Sequence, residues 1–362
     1  MQTRENIFYR IVKDNKINYL LGTIPCRDAD SIALSSVAKH AFEHADRVGF
    51  ECSSDHDEIT SVYDSLIKEW FNDHKKEIIP FEIEDEYRDK MIELFAYKAK
   101  CSKEKLSAIF DKMKSTTPPF SLLWQACLIL RQKNLGLTDG PHLELLLLNQ
   151  ANKLKKPIIY LNSLESELSN IFGLEFNYQQ QLEVFMDQIK AVLVSEAVMK
   201  AKANKLSQFY QEGDLQGINE LLFHDIEKSH SEITKQILNS ISNDRDLIYA
   251  DKITEYFQSG NSFIAIGACH LTRVIELLKK QGFTVNNIKE GPRVYPIQHS
   301  DTAKIAAPLS ILANNSLFHR FKKDAINVQS RLNQHLTAFN EQGKNTDVLS
   351  CEPQPNRYLT KS

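Results

Sequence analysis

The sequence predicts an α/β fold of the mixed α+β kind, in which two strand-helix-strand blocks form a central mixed β-sheet covered and capped by many α-helices. Two observations predict it. Apolar runs of strand length, such as "NYLLGTI" and "SFIAIG", are each followed by helical periodicity. Long stretches between the blocks have helical periodicity and no strand-like alternation. A chain of 362 residues can bury a large core.

The first block consists of a β-hairpin, a helix and a strand. "FYRIVKDNKINYLLGTI" is apolar on both sides of the turn-forming "DNK", which is typical of a hairpin. An apolar stripe with helical spacing from Leu34 to Ala45 predicts the helix. "ADRVGFEC" follows as a short buried strand, and Glu51 lies at its end.

Helices and the second block fill the rest of the predicted sheet domain. Residues 57–133 have a helical pattern with a breaker at "STTPPF". A helical stripe from Leu143 to Leu154 precedes the strand "KPIIYL". Amphipathic helices at 177–258 are interrupted near "EGDLQG". "SFIAIGACHLTRVIELLKKQGFTVNNI" then predicts a strand, a helix with Gly282 as its C-cap, and a strand.

We therefore predict one main domain and a C-terminal extension. The domain spans 1–291 and carries helical cap insertions at about 57–133 and 177–258. The extension, 292–362, is predicted to contain a helix around 316–340 and a disordered end.

Composition excludes several classes of partner and location. A net charge of -3 provides no basic surface for nucleic acid. The apolar runs are too short to cross a bilayer, and "MQTRENIFYR" is charged where a secretory signal is apolar. We expect a cytoplasmic protein. The sequence leaves open both export through a non-classical signal and the oligomeric state. The six irregularly spaced cysteines predict reduced thiols, mostly packed as small apolar residues.

Candidate site residues follow the predicted strands. Ligands of helix-covered sheets gather at the carboxyl ends of strands, where Glu51 and His270 lie. A buried carboxylate and imidazole need a partner or a metal. The simpler alternatives are that Glu51 caps a neighbouring loop and that His270 is a satisfied histidine near a helix N-terminus.

The segment "HAFEH" matches the H-x-x-E-H pattern of inverted zinc peptidases. On a helical wheel, His40 and Glu43 point away from the apolar stripe, and His44 lies at its edge. A catalytic zinc site needs a shaped cavity and a third protein ligand. We therefore predict a solvated helix face and no zinc site there.

The order of these segments carries a family resemblance. "YLLGTI" and "ADRVGFE" are followed far downstream by "KLSQFYQEGDLQGINELL", "NDRDLIYADKI" and "SFIAIGACHL". Over roughly residues 7–290 this pattern resembles the TraB/GumN/PrgY group and the related Tiki proteins. That superfamily is marked by two Gly-x-x-His motifs and a glutamate, and Tiki proteins are metal-dependent peptidases.

The resemblance implies roles for individual residues. Gly267 and His270 match the second Gly-x-x-His, Glu51 matches the glutamate, and Arg245 matches the arginine. It implies a catalytic cluster of Glu51, His270 and Arg245, with Glu51 and His270 holding a divalent zinc, manganese or cobalt ion. Such a metal lowers the pKa of bound water, a carboxylate moves protons, and arginine stabilises negative charge.

Two positions depart from the family pattern. The first motif is Gly22-Thr-Ile-Pro25, so its histidine is absent. Asn162 stands where the family has a glutamate after the middle strand. Proline has no donor and no titratable proton in its side chain, so the family mechanism does not carry over intact.

Thiols or another histidine are candidates to replace the lost ligand. Cys26, Cys52 and Cys269 adjoin the mapped positions, and Cys26 is the predicted additional metal ligand. Cys52 is expected to point away from Glu51 if the strand continues through both. Structural thiols and a single reactive cysteine are the alternatives. His56 is the nearest histidine able to turn in.

Two functional hypotheses follow. The first is a degenerate or altered-site family member, a possible pseudoenzyme without a cofactor, that binds a peptide or protein partner. The second is a metal-dependent peptidase that uses Glu51, His270 and Arg245. The missing histidine favours the first hypothesis.

Overall fold

A computed structural model describes most of the chain, and every structural statement below concerns only its described residues: 7–24, 33–53, 56–74, 81–99, 101–134, 143–193, 196–227, 231–239, 243–288 and 295–296. Pro25, Cys26 and the helix predicted around 316–340 lie outside this set. The division at residue 291 stays a prediction.

The main sheet has six strands in the order β5-β4-β6-β2-β1-β7. The strands are β1 (Phe8–Lys13), β2 (Lys16–Thr23), β4 (Arg47–Phe50), β5 (Ile158–Tyr160), β6 (Ser262–Gly267) and β7 (Thr284–Asn287). β2, β6, β4 and β5 are parallel neighbours, whereas β1 pairs antiparallel with β2 and β7. β3 (Ala33–Leu34) pairs separately with β8 (Tyr295–Pro296). The predicted mixed sheet is confirmed.

Helices make up the greater part of the described chain. They are α1 (Ser36–His44), α2 (His56–His74), α3 (Asp85–Ala99), α4 (Lys103–Thr116), α5 (Pro119–Asn134), α6 (Leu143–Lys153), α7 (Leu164–Ile171), α8 (Tyr178–Val192), α9 (Glu196–Glu212), α10 (Leu215–Glu227), α11 (Glu232–Asn239), α12 (Arg245–Phe257) and α13 (Ala268–Lys280). Among the described residues, no helix has the length and apolar character needed to cross a membrane.

Local sequence signals explain several boundaries. Asp14 and Asn15 have φ values of 49° and 61°, which suit the tight turn of the predicted β1-β2 hairpin. The "STTPPF" breaker separates α4 from α5, and "EGDLQG" separates α9 from α10. The C-cap of α13 is Gln281, one residue before the predicted position, and Gly282 follows it with a φ of 88°.

The central strand β6 is buried on both faces of the sheet. Phe263 and Ala265 pack into an apolar cluster with residues of α1 and α6. Ile264 and Ile266 pack into a second cluster with residues of α12 and α13. Because side chains alternate along a strand, this continuous apolar run contributes side chains to the apolar clusters on both faces of the sheet. Packing on both faces fixes the position of the strand and therefore of its carboxyl end.

Candidate functional site

The carboxyl ends of the parallel strands bring the candidate residues together. Thr23 at the end of β2 pairs with Gly267 at the end of β6. Glu51 follows β4, and the Asn162 N–H donates to the Glu51 carbonyl oxygen at 3.0 Å. The predicted gathering of residues at this edge of the sheet is present, with Glu51 among them.

Both carboxylate oxygens of Glu51 have partners. Oε1 accepts a hydrogen bond of 2.6 Å from the Gly267 N–H. Oε2 accepts one of 3.1 Å from the Arg245 guanidinium. A Cβ atom at Gly267 would lie 3.1 Å from Glu51 Oε1 and 3.3 Å from His270 Cδ2. Glycine at this position therefore allows the backbone to approach the carboxylate closely.

Arg245, the first residue of α12, is the centre of an ionic network. Its guanidinium pairs with Glu167 of α7 as well as with Glu51. Its Nε and one terminal nitrogen donate to the Tyr249 hydroxyl at 3.2 and 2.7 Å. Burial opposes the positive charge, but Glu167, Tyr249 and Glu51 outweigh it and raise the pKa of Arg245 well above its usual value.

Glu167 accepts two further hydrogen bonds on Oε2. The Tyr249 hydroxyl donates one at 3.2 Å, and the Asn162 side-chain amide donates another at 3.1 Å. Asn162 stands where a family glutamate was expected, and its amide contacts a carboxylate five residues further along the chain. Sequence reasoning missed Glu167 and Tyr249. The Tyr249 signal was its position four residues after Arg245, on the same helix face.

His270, the third residue of α13, is held by Asp246 of α12. Nδ1 lies 2.6 Å from Asp246 Oδ1, and Nε2 lies 3.9 Å from Glu51 Oε1. Burial works against the imidazolium, but interaction with Cys269 and the hydrogen bond with Asp246 raise the pKa of His270 well above its usual value. Burial raises the pKa of Asp246, while the His270 bond acts in the opposite direction. Sequence reasoning did not identify Asp246.

Glu144 is a further site residue that sequence reasoning missed. Its Oε1 accepts a hydrogen bond of 2.6 Å from the Thr23 hydroxyl. Burial, with a contribution from the charge of Glu51, raises the pKa of Glu144 to about 8. A single carboxylate within the apolar run "HLELLLL" was the available signal, because such a residue is costly to bury without a function or a partner.

The described residues do not by themselves fit a divalent metal ion. No group of three or more His, Cys, Asp and Glu side chains in this part of the chain is arranged to hold one. The Arg245 guanidinium also contacts the Glu51 carboxylate, where its charge would repel a cation. Cys26 and the His56 side chain lie outside the described set, so the predicted metal site stays a prediction.

Four described cysteines are not joined in disulfide bonds within this part of the chain: Cys52, Cys101, Cys127 and Cys269. β4 ends at Phe50, so strand alternation does not direct Cys52 away from the site. Burial and the charges of Glu167 and Glu51 raise the pKa of Cys52 well above its usual value. All four side chains are partly buried, and whether they are packed mainly as small apolar residues stays a prediction.

Two motif predictions have simple structural outcomes. His40, Glu43 and His44 are exposed on α1, as predicted for "HAFEH". A Cβ atom at Gly22 would collide with the side chains of Leu271 and Ile7. The glycine of "GTIP" therefore permits close packing between β2 and α13.

The TraB/PrgY/gumN family matches residues 7–287 of the chain. A search of the curated proteins found no match to this chain.

Proposed function

Since the chain belongs to the TraB/PrgY/gumN family, we propose that it is an altered-site member that binds a peptide or protein partner presenting a positively charged group. One observation carries this proposal. The most accessible charged side chain of the network is the Glu51 carboxylate, and its accessible charge is negative.

Exposure separates Glu51 from its charged neighbours. Its side chain is 19% exposed, whereas the side chains of Arg245, Glu167, His270 and Asp246 are between 2% and 8% exposed. A partner that approaches this edge of the sheet therefore meets a carboxylate before it meets a buried cation. A lysine, an arginine or a peptide N-terminus would complement that charge.

The internal contacts of Glu51 favour binding over metal-dependent hydrolysis. Its two oxygens already accept hydrogen bonds from Gly267 and Arg245. These bonds fix the carboxylate in one orientation, which lowers the entropic cost of binding a cationic group. A metal ion would have to compete with the Arg245 guanidinium for the same oxygens.

The test uses three fluorescent peptide libraries of equal length, with basic, neutral and acidic composition. We expect fluorescence anisotropy to report binding of basic peptides and mass spectrometry to find them uncleaved. Glu51→Gln is expected to weaken binding at least tenfold. Glu43→Gln, at an exposed site on α1, is the matched control and should leave affinity unchanged.

The same experiment discriminates the peptidase hypothesis. Peptides are incubated with added zinc, manganese or cobalt and, separately, with a chelator. Cleavage that needs the metal and disappears in His270→Ala would replace the binding proposal with a metal-dependent peptidase. Equal affinity for basic and acidic peptides would refute recognition through Glu51.

A further inference from the structure

Two imidazoles lie one turn apart on the exposed face of α1. His40 and His44 are separated by four positions, so their side chains project from the same face of the helix. Both residues are exposed, and their ring centroids are 4.0 Å apart with an angle of 34° between the ring planes. The fold therefore presents a pair of adjacent imidazoles to solvent.

A hydrogen bond to the backbone determines which nitrogen of His44 can bind an ion. Its Nδ1 lies 2.9 Å from the His40 carbonyl oxygen. Because a carbonyl oxygen only accepts hydrogen bonds, Nδ1 carries the proton of the neutral ring and Nε2 keeps its lone pair. Histidines that bind metals are commonly held in this way, with the second ring nitrogen donating to a carbonyl or a carboxylate. His44 is thus oriented as a ligand by the helix itself.

The ring of His40 is placed to supply a second nitrogen. His40 contributes its backbone carbonyl to the bond with His44, and its exposed ring lies beside the other ring. A metal ion lies about 2 Å from an imidazole nitrogen, so two nitrogens that share one ion must lie about 3–4 Å apart. Rings with centroids 4.0 Å apart can meet this requirement through small side-chain rotations, which are fast in exposed residues.

The charged groups around the pair leave the imidazoles as the available ligands. Lys156 Nζ donates to the Glu43 and Ala45 carbonyl oxygens at 2.9 and 2.6 Å, so these acceptors at the end of α1 already have a cation. The Glu43 carboxylate lies 3.7 Å from the Lys39 ammonium, and these two exposed charges offset each other. Neutral nitrogen ligands favour a transition-metal ion over Mg²⁺ or Ca²⁺, which prefer oxygen.

The pair lies at the opposite edge of the sheet from Glu51. α1 leads into the amino end of β4, and the His44 carbonyl oxygen accepts a hydrogen bond of 2.9 Å from the side chain of Asn261, which directly precedes β6. β4 and β6 are parallel, and Glu51 follows the carboxyl end of β4. An ion on α1 is therefore separate from the metal site predicted at Glu51, and this inference does not rest on the proposed function.

We propose that His40 and His44 chelate one divalent transition-metal ion on the surface of α1, with water completing its coordination. Cu²⁺ binds most tightly, because affinities of a given nitrogen site peak at copper in the divalent series. The site differs from a peptidase zinc centre, which needs a third protein ligand. No group of three or more potential ligands is present in the described part of the chain. The bound ion connects two consecutive turns of α1.

The test measures how Cu²⁺ protects each histidine of the full-length protein from diethyl pyrocarbonate, with mass spectrometry reading every site. His40 and His44 should be protected with the same midpoint concentration of Cu²⁺. His74 is the internal control, because its Nδ1 also lies 2.9 Å from a carbonyl oxygen four residues earlier, but that residue is Trp70. We expect its protection to need at least tenfold more Cu²⁺. Equal midpoints for all three histidines would mean adventitious ion binding only and would overturn the proposal.

Single variants test whether the two rings act together. In His40→Ala the midpoint of His44 should rise at least tenfold, and in His44→Ala the midpoint of His40 should rise similarly. The midpoint of His74 should stay unchanged, which also shows that each variant is folded. If the variants unfold, the wild-type midpoints still decide. A midpoint that does not respond to loss of the other ring would contradict a shared ion.

A second arm identifies the ligand type. Mg²⁺ should protect neither His40 nor His44 at concentrations at which Cu²⁺ protects both, because Mg²⁺ prefers oxygen ligands. Glu43→Gln should leave both Cu²⁺ midpoints close to those of the wild type, since the carboxylate is not one of the proposed ligands. Protection by Mg²⁺, or a tenfold weaker Cu²⁺ effect in Glu43→Gln, would show that a carboxylate holds the ion and would overturn the chelate of two imidazoles.

Discussion

Glu167 and Arg245 form an ion pair in which both side chains are almost completely buried, at 2% and 8% exposure. Tyr249 and Asn162 donate hydrogen bonds to Glu167, so the carboxylate does not depend on the guanidinium alone. A buried pair of this kind is tolerated when its remaining polar atoms are satisfied, and breaking it leaves an uncompensated charge. The pair connects α7 with α12 beside the candidate site.

Arg245→Leu is expected to lower the free energy of unfolding by about 3–5 kcal/mol, because it leaves Glu51 and Glu167 without their cation. Chemical denaturation measures the change. Lys252→Leu on the same helix is the control, since its pair with Glu255 is exposed on both sides and solvent screening leaves it little effect on stability. An equal decrease in the free energy of unfolding in the two variants would show that the buried ion pairs stabilise the fold no more than the exposed pair does.

Tyr249→Phe should lower stability by about 1–3 kcal/mol, because the lost hydroxyl accepts from Arg245 and donates to Glu167. Thermal and chemical unfolding would both report it. Tyr256→Phe, at a partly exposed position on α12, serves as the control and should change stability little. If Tyr249→Phe left the stability unchanged, the pair of Arg245 and Glu167 would not need the hydroxyl as a hydrogen-bond partner.

Local patterns predicted more of this fold than of its polar contacts. The hairpin turn at Asp14-Asn15 and the strand-helix unit ending at Gly282 depend on neighbouring residues, so their signals lie in short segments. Glu51 and His270 were identified because they follow strands. The Glu51-Gly267 bond, by contrast, joins residues separated by 216 positions, and its existence depends on strand order.

The positions of Asp246 and Glu167 show the same limit. Each side chain reaches the site through the position of its helix, α12 or α7. Hydrophobic periodicity predicts that a helix forms, but it does not predict where that helix packs. Arg245 was predicted through the family resemblance and not from its own environment. Glu144 and Tyr249 are missed residues that did have a local signal: Glu144 is a carboxylate in an apolar helix, and Tyr249 lies four residues after Arg245.

Glu144 should make stability depend on pH. Its folded pKa of about 8 exceeds the ordinary 4.5, so its contribution is fully present below about pH 4.5 and is lost as the pH rises through 8. Glu144→Gln cannot ionise and should flatten this decline in denaturation midpoints measured between pH 5 and pH 9. Glu165→Gln, at an exposed site, should follow the wild type. Parallel curves for wild type and Glu144→Gln would contradict the assignment.

Close packing at Gly22 is also testable. Gly22→Ala should cost about 1–3 kcal/mol, because its Cβ would overlap the side chains of Leu271 and Ile7. Combining it with Leu271→Ala relieves one of these overlaps. The double variant should therefore lose less stability than the sum of the two single variants. Additive losses would argue against a steric contact between Gly22 and Leu271.

The strand order has a consequence for synthesis on the ribosome. The first hairpin, β1-β2, lies between β6 and β7, which are among the last described strands to be made. An emerging chain therefore carries β1 and β2 with their outer edges unpaired until residues 262–287 have left the exit tunnel. We expect nascent chains stalled before β6 to be digested rapidly by protease, and chains stalled well beyond β7 to resist it. Resistance in the shorter chains would show that the helical segments protect the hairpin on their own.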